Sequence, residues 1–402
     1  MKKIVIVANF CRGLDGTNHS RFVYLAEMLT ATGRYKVELV TSDFHHLSKT
    51  HIDESNAGRY NFDIKLCHEP GYVSHKGLKR LMSHYRWGKS VLRYLKSQPS
   101  PDVVYCAIPS LTAAHGLAKY CKSRGVKFVI DVQDLWPEAI FMLADNGFIK
   151  TATWPMKKYV ETAYRNADAI VAVSRTYADR AAAVNERSAE ALSVFLGSDG
   201  ARFEAARTVC ASQEMPFTIG YIGTISYSYD IGCVIDTIKL LDESGEYPPI
   251  KFLVMGDGPL LSQFRERAEE GNVDCEFTGM LAYEEMVASM CGCDILVNPI
   301  VQGAAQSITN KVGDYALSGL PVVNTQECAE YRDLLARYDC GINCTPGDVA
   351  ELARAIAWLI RNPERRYEMG RNAARLGHDK FDRRTAYGQI VEMLDRLTYS
   401  KC

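Results

Sequence analysis

Short apolar runs alternate with amphipathic stretches of helical length through the first half of the chain. The runs fall at residues 3–8, 37–41, 102–107, 127–132 and 169–173, and a helical pattern covers 20–32. Such alternation predicts a parallel sheet with helices on both faces. A second series begins at 217–222 and continues through 250–255, 275–278, 295–298 and 321–324. Two Rossmann-like α/β domains are therefore expected. The segment FLGSDGARF followed by the aperiodic TVCASQEMP marks the join. The limits drawn are 1–198, 199–380 and a final helix over 381–402, whose apolar stripe runs through Ala386, Ile390, Met393, Leu394 and Leu397. Ligands of open α/β sheets bind beyond the carboxyl ends of the strands, so two facing domains would enclose a cleft.

The richest segment is NPIVQGAAQSITNKVGDYALSGLPVV, from Asn298 to Val323. It reads as a strand end, a small polar loop at 303–309, a helix carrying Val312, Tyr315 and Ala316 on one face, a stop at Gly319, and a new strand. Free N–H groups and the positive dipole end at that helix start favour a phosphate. In FLVMGDGPLLSQF, Gly256 and Gly258 follow a strand, serving either a ligand loop or a tight turn. DVQDLWPEA places Asp134 and Glu138 where a carboxylate can hold or deprotonate a hydroxyl, with Trp136 as a flat face for a ring. Capping of the next helix by Asp134 is the alternative. In the loop NFCRGLDGTNHSRF after the first strand, Gly13 and Gly16 would let the backbone approach a phosphate or an acceptor on the side of Asn18 and His19, while His19 reads equally as a solvated first-turn residue; the loop is no G-x-G-x-x-G fingerprint.

Charge and composition narrow the classes. The chain has 402 residues, 47% hydrophobic, with formal net charge -1, so nucleic-acid binding by bulk charge is excluded. No run approaches the roughly 18 apolar residues that span a bilayer, and residues 1–10 lack a signal-peptide pattern. A cytoplasmic protein is expected. Thirteen cysteines, an odd number without Cys-x-x-Cys spacing, read as reduced thiols and not as a zinc framework. Residues 70–101 carry no acid, while Lys76, Lys79, Arg80, Arg86, Lys89, Arg93 and Lys96 interleave with Leu78, Leu81, Met82, Tyr85 and Trp87. This basic amphipathic helix suits an anionic membrane surface, and equally a merely solvated face.

Together these segments resemble the retaining glycosyltransferases of family 4, whose donor site carries Glu, seven residues, Glu, then small-Gly-x-Pro-Val. Gln306 and Asp314 stand at the two acidic positions. The resemblance implies a GT-B fold with a crossover helix, a nucleoside diphosphate sugar donor (a UDP-sugar), a glycan hydroxyl as acceptor, and neither metal nor cofactor. It assigns the ribose to Asp314, the base to the backbone at Gly279 and Met280, and donor contacts to Gly256, Ser307, Ile308, Thr309 and Asn310. Where the family has a basic pair against the diphosphate, this chain has Gly223 and Thr224, then Tyr229 and Asp230. Lys311 is the candidate substitute, placed with Asp134 and Glu138 among the catalytic residues. Asp-x-x-Asp-Leu-Trp-Pro-Glu is similar to a subgroup building bacterial surface polysaccharides, capsule or lipopolysaccharide, whose acceptors are lipid-linked at the inner membrane face. Two alternatives stay open: a GT-B sugar-nucleotide epimerase and a non-catalytic glycan-binding subunit.

Overall fold

A computed structural model describes the chain apart from residues 12–13, 15–19, 47, 53–59, 74–76, 137–146, 208–215, 305–307 and 400–402. The chain forms two compact units, Met1–Val194 with Tyr387–Cys402, and Phe195–Ala386.

The first unit is built on seven strands: β1 (Lys2–Val7), β2 (Tyr35–Ser42), β5 (Asp63–Cys67), β6 (Val103–Ile108), β7 (Lys127–Val132), β8 (Ala169–Ala172) and β9 (Glu190–Ser193). A small hairpin, β3 (Phe44–His45) with β4 (Thr50–His51), stands apart. Sheet order is β5-β2-β1-β6-β7-β8-β9, every neighbour parallel. Helices such as α1 (Arg21–Ala31), α2 (Leu78–Ser97) and α3 (Leu111–Arg124) make crossovers. Covered on both faces, the central strands are apolar without alternation: Ile4, Val5, Ile6 and Val7 are each 0% exposed.

The second unit has strands β10 (Phe217–Ile222), β11 (Ile250–Met255), β12 (Cys275–Gly279), β13 (Ile295–Asn298), β14 (Val322–Asn324) and β15 (Gly341–Asn343), in the order β12-β11-β10-β13-β14-β15 and all parallel. The chain winds one way from β10 and then returns to its other side at β13. The crossovers that follow β10 and β13 therefore run to opposite sides, and open α/β sheets bind their ligands at such a switch point. In the first sheet the same reversal lies between β1 and β6.

The connections between units differ from the sequence reading. Ser198 N–H donates to the Phe381 carbonyl at 2.8 Å and Arg383 N–H to the Ser198 carbonyl at 3.0 Å, tying both connecting segments into the second unit. The units accordingly part at 194/195 and 386/387. The tail is not one helix over 381–402 either: a π-helical turn (Gly377–Phe381) and a short helix (Arg383–Ala386) precede the helix Gly388–Tyr399. Asp382 breaks it with extended backbone, where its buried carboxylate accepts from Arg384. Gly388–Tyr399 belongs to the first unit, where Asp395 accepts from the Tyr35 hydroxyl at 2.6 Å and Glu190 pairs with Arg396 at 2.7 Å.

Candidate functional site

In the second unit, the helix Lys311–Ser318 follows β13, the strand at which the sheet order reverses beside β10. It buries Val312, Tyr315 and Ala316 and ends at Gly319, whose left-handed backbone (φ 73°) closes the last turn. Tyr315 holds the helix at the switch point: its hydroxyl donates to the Val297 carbonyl and accepts from the Ile222 N–H, both at 3.0 Å. The β10–β13 ladder pairs Ile219 with Ile295 and Gly220 with Leu296 and then stops, so a side chain takes over where backbone pairing ends.

Lys311 is the first residue of this helix and is only 9% exposed. Its ammonium lies 4.1 Å from the ring centre of Tyr221, 4.2 Å from Tyr229 and 5.8 Å from Tyr315, and it has no hydrogen-bond partner among the described residues. Burial pushes its pKa well below the ordinary lysine value. Three electron-rich rings partly compensate the cation, but the positive end of its own helix opposes it. A buried cation lacking an anion is a costly arrangement that an arriving phosphate would relieve.

Neighbouring loops complete this wall. Tyr229 comes over Lys311 because the loops after β10 and β13 pair: Val301 N–H donates to the Ser228 carbonyl at 3.2 Å and Asp230 N–H to the Pro299 carbonyl at 2.9 Å. Asp230 caps the next helix, accepting from Cys233 N–H at 3.0 Å. Gly223 (φ 138°) and Gly256 (φ 154°) lie back to back, and a Cβ on Gly256 would stand 1.9 Å from the Gly223 carbonyl oxygen. Glycine at 256 is thus required by two loops in contact, which is the structural of its two readings. Thr224 is exposed, its carbonyl accepting from the Tyr221 hydroxyl. Gly279 ends β12 beside Gly256, and the Met280 side chain is 79% exposed. Thr309 Oγ1 is buried without a partner in the described structure, beside exposed Asn310 and half-buried Ile308. Gln306 and Ser307 lie outside the described residues.

Asp314 sits one turn into the helix and accepts from the Tyr283 hydroxyl at 2.9 Å. Burial raises its pKa, opposed by hydrogen bonds from Ser198 and Tyr283 and by the charges of Arg383 and Arg202. Below it, buried amides run across the strand ends, from Asn298 to Asn324 and from Asn324 to Asn343, each 2.9 Å long. This ladder fixes where the donor-side loop begins. Its sequence trace, an Asn at the end of each of three strands, passed unread.

In the first unit, Asp131 of DVQDLWPEA is not available for chemistry. It is fully buried, bonded to Arg21 Nε at 2.8 Å and to the Tyr105 hydroxyl at 2.6 Å. Asp134 accepts from Trp136 Nε1 at 2.9 Å, and the Arg80 guanidinium lies 5.7 Å over the indole. One face of Trp136 is therefore occupied by a cation. Glu138, Gly16, Asn18 and His19 lie outside the described residues. Sequence reasoning missed Glu69, which is 2% exposed and accepts from Asn9 at 3.0 Å, Ser42 at 2.6 Å and Ser83 at 2.9 Å. It gathers the carboxyl ends of β1, β2 and β5 against α2. Beside it the His84 pKa is pushed down to about 3 by burial and by the charges of Arg80 and His46.

Family models cover both units: one described as Glycosyltransferase Family 4 matches residues 20–194, and one described as Glycosyl transferases group 1 matches residues 216–362. The chain is a glycosyltransferase of the family 4 type. No curated protein matches it by sequence. Among solved structures it is similar to HepE of Anabaena in complex with UDP, at 15% identity and TM-score 0.67 over 98% of this chain and 99% of that one. Sucrose-phosphate synthase of Thermosynechococcus elongatus gives 13% identity and TM-score 0.72 over 99% of each chain. WaaG, a glycosyltransferase involved in lipopolysaccharide biosynthesis, gives 16% identity and TM-score 0.62 over 99% of this chain and 100% of that one. At such identities the likeness is one of fold, and that fold is GT-B. In the second unit a buried cation stands at the start of the helix Lys311–Ser318, between tyrosines.

Proposed function

We propose that the chain transfers a hexosyl unit from a UDP-sugar to a hydroxyl of a lipid-linked or growing surface glycan, with retention of configuration and without metal or cofactor. The observation carrying this reading is Lys311, a buried cation without a hydrogen-bond partner where the donor diphosphate is expected. Charge developing on the leaving diphosphate would meet a preorganised ammonium instead of water. Asp314 would accept from the ribose hydroxyls, and the backbone at Gly279 and Met280 would pair with the base. Gly223, Thr224, Gln306, Ser307, Ile308, Thr309 and Asn310 would hold phosphate and sugar. On the acceptor side Asp134 and Glu138 would orient the hydroxyl, with Trp136 and the loop of Gly16, Asn18 and His19 around it. The HepE structures with UDP and with UDP-glucose support a uridine donor. Retention rests on the family resemblance, which assigns same-face attack assisted by the departing phosphate.

A lipid-linked acceptor is supported by α2. Its inner face buries Trp87, Val91 and Leu95, while Leu78, Leu81, Met82 and Tyr85 are exposed. Lys79, Arg86, Lys89, Arg93 and Lys96 are also exposed and form no ion pair among the described residues. The groove it forms with α3, about 660 Å³, adds Lys119 and Arg124. No described helix is long and apolar enough to cross a membrane, so attachment would be peripheral. The test offers a panel of UDP-sugars with lipid-linked acceptors in the presence of EDTA, following UDP release and the anomeric proton of the product by NMR. An α-linked product from an α-donor is expected; an inverted product, or dependence on added metal, overturns the corresponding part.

A further inference from the structure

At the carboxyl end of β2, Asp43 is held more firmly than a turn residue needs to be. Its N–H donates to the Cys67 carbonyl at 3.2 Å, its carbonyl accepts from Ile52 N–H at 2.7 Å, and Oδ1 accepts from Glu69 N–H at 2.8 Å. Two imidazoles converge on this fixed carboxylate. His68 Nδ1 lies 2.8 Å from Oδ2 and His51 Nε2 lies 4.0 Å from Oδ1. The rings are stacked, 5.6 Å between centres and 19° between planes. All three ligand atoms lie within 4.8 Å of one another. The residues come from three separate segments: the turn after β2, strand β4, and the chain just beyond β5.

We propose that Asp43, His51 and His68 form a binding site for a divalent ion of the zinc class, with the remaining position open to water. Two imidazoles and a carboxylate are a donor set that zinc accepts, whereas magnesium and calcium favour oxygen alone. Zinc bonds of about 2.0–2.2 Å place tetrahedral ligands roughly 3.3–3.6 Å apart, so the observed spacings require only small side-chain movements. His68 now bonds Asp43, and His51 Nε2 lies 2.8 Å from the Glu69 carbonyl. On binding, each neutral ring carries its proton on the other nitrogen, and these two contacts are exchanged for metal bonds. The Glu69 N–H contact to Asp43 Oδ1 then orients the carboxylate from behind, as outer partners of metal ligands do. The ion would clip the β3–β4 hairpin to the ends of β2 and β5, beside the Glu69 centre that gathers three strand ends.

The site is independent of the transfer reaction, so its test uses zinc alone. Metal-free full-length protein is titrated with zinc by calorimetry and with cobalt by absorption spectroscopy. One equivalent of zinc is expected, with a rise in the thermal midpoint. The cobalt spectrum should show ligand-field bands without a thiolate charge-transfer band, which separates this site from the cysteines. His68→Gln and His51→Ala should each weaken binding by roughly tenfold or more and remove the thermal shift. The His68 side chain is 68% exposed, so the first variant should fold as the parent does. Absence of stoichiometric binding, unchanged affinity in His68→Gln, or a thiolate spectrum would each overturn the site.

Discussion

Each unit buries a basic side chain, and the two are treated in opposite ways. Arg21 in the first unit is enclosed by partners: Asp131 at 2.8 Å, and the Val194 carbonyl and Tyr387 hydroxyl each at 3.2 Å. Val194 and Tyr387 are the residues at which the chain leaves and rejoins that unit, so one guanidinium ties both ends to the sheet. Lys311 in the second unit has rings around it and no anion. A buried charge paired with an opposite one reads as architecture. An unsatisfied one at the switch point reads as a place kept for a ligand, because only an incoming anion recovers the desolvation penalty.

The comparison breaks most visibly at Arg21. Arg21→Met leaves Asp131 buried and unpaired, and should cost about 3–5 kcal/mol in chemical denaturation. Replacing Asp131 by Leu as well should recover much of that loss. If the single variant is as stable as the parent, the pair is not what holds the two chain ends.

Lys311→Met should do the reverse. Stability should hold or rise, while turnover at saturating donor falls by about 10²–10³, the effect of removing one preorganised group from developing charge. pH sharpens this. A lysine whose folded pKa is depressed lets the unfolded chain bind the extra proton, so parent stability should rise with pH between the depressed value and about 10.4, the unfolded one. Lys311→Met should lack that component of the slope. Identical pH–stability profiles would show that the cage does not desolvate the ammonium.

Smaller effects follow for residues with partial partners. Asp314 already accepts from Tyr283, so Asp314→Asn should retain the helix and weaken UDP binding by about tenfold, or roughly 1.5 kcal/mol. Calorimetry on the folded variant measures it, and unchanged affinity removes Asp314 from the ribose. On α2, reversing Lys79, Arg86 and Lys89 to Glu should reduce sedimentation with anionic liposomes by about 1 kcal/mol per lost cation, more at low salt, with UDP binding intact. A parent protein that ignores such liposomes would make α2 a solvated face.

How far the sequence reaches follows from the range of the forces involved. The central strands were readable because a doubly covered parallel strand must be apolar throughout, a local requirement, whereas the partly exposed edge strands β5, β9 and β15 lack that signal and were not read. The helix of Lys311–Ser318 and its stop at Gly319 were readable from equally local signals. The tyrosine cage was not. Tyr221, Tyr229, Lys311 and Tyr315 meet only after β13 is laid beside β10, and nothing in the 81 residues between Tyr229 and Lys311 signals that neighbourhood. Asp131 is a second case: it stands in the segment DVQDLWPEA beside the candidate site residues, and only tertiary packing commits it to Arg21. By itself, then, the sequence determined which segments are central strands and helices and where they end, since hydrophobic period and turn chemistry act over a few residues. Only the tertiary structure decided which charges are paired, because pairing depends on groups that the sheet order brings together from distant parts of the chain.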